Sequence, residues 1–319
     1  MALPVTNDQL NNVVTSTYEV KRKRVVYDAF FVDNPLFVRL NTKEKVKTMG
    51  GSPITFPFIY DKLPGGSYGK GDKFGTAFKE FMTEGRLNWK RYRAEMAADG
   101  LDIAVNRGEL AVIDWMETQM QVAERTLAED IGLDLYGDGT GNNSKALDGL
   151  RVAIDDTLSY GGITRDTSKQ GTAIKASVNT TGGAFSFAMI NTQMGKVTFG
   201  KRKPDLLLMS QRLWNKGWER SQPSERNVAE DLRKVGFNSW QINGADAVVD
   251  PHVTDDGTNG TIYGVNTDFL EFWVLEGNDF RLRGMFEVHD EDTQVGQIIN
   301  YCNVVVPAPR YNFRIDNVQ

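Results

Sequence analysis

Apolar residues recur at three- and four-residue steps over one long stretch: Ile113, Met116, Met120, Ala123, Leu127 and Ile131, with Glu117, Glu124, Arg125 and Asp130 between them. That spacing lines one face of an amphipathic α-helix. Neither proline nor glycine interrupts Glu109 to Ile131, so the pattern predicts a helix over about 106–136. At 1.5 Å per residue its core runs about 35–40 Å, long for a globular helix. Gly137 and Gly139 supply a stop. A second helix is expected over Phe187–Val197. A third follows Ser210, whose hydroxyl can cap the turn leading to Leu213, Trp214 and Trp218.

Most other apolar positions read as strands. Leu206-Leu207-Leu208-Met209 is a continuous apolar run behind Pro204-Asp205. Trp240–Ile242, Ala247–Val249, Thr261–Val265 and Leu270–Val274 are short runs divided by turns, and Phe286 to Phe313 is strand-rich. Residues 137–184 are poor in apolar side chains and should form loops and short strand. With no internal repeat, the pattern predicts a mixed α+β chain with one long helix.

Residues 46–100 depart from the pattern of a compact domain. The strand-like Ile54–Tyr60 is broken by Pro57, which suits an edge or an exposed ribbon. Leu63-Pro64-Gly65-Gly66-Ser67-Tyr68-Gly69-Lys70-Gly71-Asp72 is too glycine-rich for a helix. Phe74–Met82 and Gly85–Met96 then mix aromatics with Arg86, Lys90, Arg91 and Arg93. An isolated two-stranded ribbon is marginal in water, so this excursion needs another surface to cover its aromatic residues.

Composition narrows the function classes. Of 319 residues, 40% are hydrophobic and 25% charged, which fits a folded chain rather than a disordered one. A net charge of −5 runs against a dedicated DNA binder and permits a container for DNA. Cys302 is the single cysteine, so no internal disulfide is possible. No signal peptide begins the sequence, and nothing approaches the roughly 20 apolar residues of a membrane span. A soluble protein made in a reducing cytoplasm is expected.

The search for chemistry returns no catalytic, cofactor or metal site. His252 and His289 lack metal-ligand spacing, and His289-Asp290-Glu291-Asp292 lacks the ligand alternation and turn glycine of a calcium loop. Gly65–Lys70 has three residues between its glycines and no Ser or Thr after Lys70, so it fails as a phosphate loop. Gly137-Asp138-Gly139-Thr140-Gly141 follows a helix rather than a strand and lacks the third glycine of a dinucleotide fingerprint. No Gly-x-Ser-x-Gly elbow is present. A spatial pair among the 42 acidic residues stays open, which keeps a carboxylate-based hydrolase as an alternative.

Residues 1–45 read as an arm: polar to Thr17, then the basic knot Lys21-Arg22-Lys23-Arg24, then a turn at Asn34-Pro35. The knot is either a solvated charged stretch or a contact with nucleic acid or an acidic neighbouring subunit.

The order of three segments carries a resemblance. They are Glu124–Ile131 running into Tyr136-Gly137-Asp138-Gly139-Thr140 and Leu147-Asp148-Gly149-Leu150; Lys203-Pro204-Asp205 through Trp214; and Val248-Val249-Asp250-Pro251-His252 leading to Ile262–Asn266. In this order the chain resembles the major capsid proteins of tailed bacteriophages, which share the Hong Kong-97-type capsid fold. The resemblance implies an N-terminal arm over 1–45 and an extended loop over 46–100 that drapes over the neighbouring subunit. It further implies a peripheral domain over 101–199 with the long helix as its spine, an axial domain over 200–278, and return strands of the peripheral domain over 279–319. Phe56, Phe58, Tyr68 and Phe74 would then find a surface on the next subunit. Lys70 and Lys73 would lie on the same ribbon, where some family members crosslink through a lysine, although lysines there are commonly only solubilising.

The implied role is a shell subunit and not an enzyme. Its partners would be copies of itself in hexamers and pentamers, a scaffold, a portal, a decoration protein, and packaged double-stranded DNA held non-specifically. It would assemble in the host cytoplasm and reside in the virion. An encapsulin-type compartment shell, with the same fold around cargo enzymes, is the near alternative. A minor virion component such as a decoration or tail-tube protein is another.

Overall fold

The computed structural model describes Pro35, Leu36, Arg39, residues 46–101 except 52, 74, 76 and 77, residues 109–221, and residues 239–319 except 288 and 290. The basic knot Lys21, Arg22, Lys23 and Arg24 therefore lies outside the described residues, as does Phe74.

In chain order the elements used below are β1 (Val46–Met49), β2 (Ile54–Ile59), β3 (Met82–Leu87), β4 (Lys90–Asp99), α1 (Glu109–Asp134), α2 (Lys169–Ile174) and β5 (Ser177–Asn179). There follow α3 (Phe187–Val197), β6 (Leu206–Met209), α4 (Gln211–Ser221), β7 (Ser239–Ile242), β8 (Ala245–Val249), β9 (Gly260–Val265), β10 (Glu271–Leu275), β11 (Arg281–Glu287), β12 (Thr293–Val305) and β13 (Phe313–Val318).

Helix α1 forms where the apolar period predicts it. Met120, Ala123, Leu127 and Ile131 are buried, whereas Val122, Arg125, Thr126, Glu129, Asp130 and Leu133 face solvent. It ends at Asp134, slightly short of the predicted 136. The Leu135 carbonyl accepts from Leu150 N–H at 2.7 Å, and Gly149 lies against the carbonyls of Asp134, Leu135 and Gly137. A side chain at 149 has no room there, so glycine lets the chain double back across the helix end.

Glu124 sits on the buried face of α1, and burial pushes its carboxyl up to about 7 from 4.5. A raised acid pKa favours the folded state at low pH and penalises it as pH rises through 7. Glu124→Gln is therefore expected to stabilise the chain by about 1–2 kcal/mol at pH 8, after allowance for partial solvent access. The gain should vanish at pH 4.5. Thermal melts of both proteins at the two pH values check this; a gain of equal size at both would contradict it.

The helix packs on a sheet built around β12, a 13-residue strand. Along one edge β12 pairs with β4, from Thr293 opposite Asp99 to Cys302 opposite Lys90. Along the other edge it pairs first with β11 and then with β10, and β1 adds to β10 in parallel. The ribbon expected over 46–100 is thus not one excursion. Its last ten residues are a structural strand, because Ala94, Met96 and Ala98 alternate inward beneath α1.

A second sheet runs β5-β13-β9-β6-β8-β7. All four residues of β6 are buried, and successive side chains enter different cores. Leu207 and Met209 pack under α3 and α4 with Ile190, Met194 and Leu213, while Leu206 and Leu208 join the core shared with α1 and the large sheet. A strand covered on both faces reads as a continuous apolar run, which is why Leu206–Met209 does not alternate. Helix α3, expected in 101–199, packs on this second sheet, and β13, expected among peripheral return strands, is one of its strands. Backbone pairing of Phe313–Ile315 with β9 and β5 decides it.

Arg314 on β13 ties the two parts together. Its guanidinium donates to the carbonyls of Arg151 at 2.7 Å and Ile154 at 3.0 Å, and pairs with Asp155 at 3.0 Å and Asp316 at 3.1 Å. A second tie lies at the end of α1, where the buried Asp250 carboxylate accepts from the Tyr136 hydroxyl at 2.6 Å and lies 3.1 Å from His252 Nδ1. No helix among the described residues is long and apolar enough to cross a membrane.

Candidate assembly surface

Strands β2 and β3 pair antiparallel as a two-stranded ribbon, Ile54 opposite Leu87 through Ile59 opposite Met82. Ile54, Phe56 and Phe58 alternate inward and are buried in the chain's own core. The Phe56 ring covers Gly85 across the ribbon and lies 6.0 Å from the ring of Tyr160. Arg86 N–H donates to the Gly161 carbonyl at 2.8 Å, which fastens the ribbon to the loop beneath it. The expectation that Phe56 and Phe58 meet a neighbouring subunit is therefore corrected. They anchor the ribbon at home, because a glycine at position 85 leaves room for an aromatic ring to reach the body of the same chain.

Beyond this anchor the chain leaves the body. Tyr60 N–H closes onto the Phe81 carbonyl at 3.0 Å, and Asp61 forms a clasp with Lys79 at 2.9 Å and Lys169 at 2.6 Å. Hydrogen bonds from Lys169, then from Lys79, hold the Asp61 carboxyl well below the usual carboxylate range. Every described residue from 62 to 80 is exposed. Among them are Tyr68, Lys70 and Lys73. The Asp72 carboxylate accepts from Gly69 N–H, and Asp72 N–H returns to the Gly69 carbonyl, closing a turn at the loop tip.

The apolar content of this loop is what makes it the candidate assembly surface. Large hydrophobic side chains are exposed at eleven described positions, and Ile59, Leu63, Tyr68, Phe78 and Met82 are five of them. Phe78 is fully exposed and Tyr68 is 72% exposed. An exposed cluster of this kind on one protrusion signals a partner surface. Of these exposed residues the sequence reading singled out Tyr68 and did not name Ile59, Leu63, Phe78 and Met82. Their signal was available: apolar side chains set in a tract of glycine and lysine with no periodic partners.

No protein-family model and no curated protein matches the sequence. Solved structures do match across nearly the whole chain. The capsid asymmetric unit of cyanophage A-1(L) superposes with a TM-score of 0.69 at 14% identity, covering 90% of this chain and 93% of that one. The capsid of a native GTA particle gives 0.62 at 10% identity, covering 88% and 90%. The holo-SrpI encapsulin complex of Synechococcus elongatus gives 0.56 at 10% identity, covering 88% of each. This chain, with its long helix on the β12-centred sheet and its second sheet, has the α+β fold of these phage-capsid and encapsulin shell structures.

Proposed function

We propose that this chain is the major capsid protein of a tailed bacteriophage, a shell subunit without catalytic activity that assembles into the icosahedral container of the phage genome. The observation that carries the reading is the loop at 59–82. Ile59, Leu63, Tyr68, Phe78 and Met82 stand exposed on it, on a fold that matches a capsid structure over 90% of this chain. Tyr68, Lys70 and Lys73 act as contact residues of this loop, with Leu63 and Phe78 beside them. The chain works in the virion, as hexamers and pentamers of itself, with a scaffold, a portal and a decoration protein as further partners and double-stranded DNA inside.

Two buried carboxylates, Asp155 and Asp250, support a structural role over a carboxylate-based hydrolase. Asp155 is taken up by Arg314, Thr157 and Leu158 N–H, and Asp250 by Tyr136 and His252. Each of these two is committed to holding chain segments together.

Negative-stain electron microscopy of the purified chain, alone and with a scaffold, tests the proposal. Shells or capsomer rings are expected, with DNA in particles recovered from infected cells. A monomer that forms no rings at high concentration even with scaffold sinks it. Particles filled only with protein cargo would transfer the reading to a compartment shell of the encapsulin kind.

A further inference from the structure

A groove of about 630 Å³ opens beside the clasp of the protruding loop, between the loop base, α2, the end of α3 and the segment after β12. Lys169, Lys175, Lys196 and Arg310 line it against one carboxylate, Asp61. Lys169 is held by Asp61, whereas Lys175, Lys196 and Arg310 form no ion pair among the described residues. Arg310 is fixed in place by stacking 4.4 Å from the centroid of Phe199, itself 45% exposed. The surrounding sequence sharpens the charge: from Lys175 to Lys203 there are five cations and no acidic residue, in a chain whose net charge is −5. Cations gathered this way cost electrostatic energy unless an anionic partner offsets it.

The same chain carries a projection of the opposite character. Where β11 ends and β12 begins, Glu287, Glu291 and Asp292 are all exposed, next to Phe286, which is 48% exposed. This projection lies at the end of the large sheet where β4, β11 and β12 stop together, fastened by Gly100 N–H to the Asp292 carbonyl at 2.8 Å. Strand β12 places it about 40 Å from Val305, at roughly 3.3 Å per residue. Arg310 follows only a few residues after Val305, so the turn cannot reach the groove of its own chain.

We infer that this acidic turn of one copy seats in the basic groove of a second copy, with Phe286 against Phe199, as a contact distinct from the protruding loop. The inference rests on the shell reading above. Knob and groove are different surfaces, so the contact is heterologous and repeats around a ring or across a shell. Its two halves carry opposite charge and each carries one exposed aromatic ring, which sets register as well as attraction.

Reciprocal charge reversal tests it. Lys175→Glu with Lys196→Glu, and separately Glu291→Lys with Asp292→Lys, are each expected to lower the yield of assembled particles at least about tenfold, with thermal melting unchanged. The chain carrying all four substitutions should recover most of the yield. Normal assembly by both pair variants, or a fourfold variant no better than either pair, overturns the contact and leaves the shell reading standing. Groove reversal that preserves shells yet weakens salt-dependent binding of a short DNA duplex also overturns it, by giving the groove to nucleic acid. Should the unaltered chain form no particles even with scaffold, the shell reading fails on its own. The contact is then decided by Lys196→Cys with Glu291→Cys: disulfide-linked dimers between copies sustain it, and their absence overturns it.

Discussion

Replacing Leu63, Tyr68 and Phe78 together by serine should abolish assembly of shells and leave the fold of the chain intact. All three side chains point out of the body, so the core loses nothing on their removal. At an interface each large apolar side chain contributes about 1.5–3 kcal/mol of burial, and three together make about 5 kcal/mol per contact. That corresponds to more than a thousandfold in the contact constant, repeated at every subunit. Sedimentation and electron microscopy measure the assembly, and a circular-dichroism melt measures the fold. Particles at the unaltered yield would show that the apolar loop is not an assembly contact. Phe56→Ala is the contrasting change: its ring is buried at home, so it should cost about 3–5 kcal/mol of chain stability before any effect on assembly.

Arg314→Met is expected to destabilise the monomer about as strongly as Phe56→Ala does. Its guanidinium holds two carbonyls and two carboxylates, and both Arg314 and Asp155 are almost fully buried. Removing one partner of a buried ion pair leaves an uncompensated charge and costs about 3–5 kcal/mol. Burial alone would push the Asp155 carboxyl up. The N–H groups of Leu158 and Thr157, the Thr157 hydroxyl and the Arg314 charge outweigh burial and hold it at about 2, below its ordinary 3.8. A depressed acid pKa gives stability that is complete above pH 3.8 and lost as pH falls toward 2. In Arg314→Met the Asp155 pKa rises, so acid unfolding should begin at higher pH. Urea titrations at pH 7 and pH 3 measure both effects. A loss below about 1 kcal/mol at pH 7 would mean that the pair adds little to joining the two parts.

The elements that follow a regular period were legible in the sequence. Leu127 and Ile131 fix the inner face of α1, and Ser210 accepts from a first-turn N–H group of the helix it precedes. Leu206–Met209 reads as a strand covered on both faces because it is a short apolar run bounded by Pro204-Asp205 and Ser210. These are local properties, set by side-chain direction along a helix or strand, and they need no knowledge of what the element touches. They also place an unusual loop between residues 60 and 81, because glycine and lysine without a period cannot form a packed element.

Which aromatic residue faces inward was decided only by tertiary contact. Phe56 and Phe78 flank the same loop and have the same side chain, yet one lies over Gly85 beside Tyr160 and the other stands in solvent. The difference comes from residues about 30 and 100 positions from Phe56 along the chain. The same holds for β4, which belongs to the large sheet because β12, two hundred residues later, offers it ten paired positions. Sequence alone thus determined that the chain has one long helix, strand-rich flanks and a loop in need of a surface. The three-dimensional packing decided which residues of that loop remain for a partner, because burial depends on groups that meet only after the chain has folded.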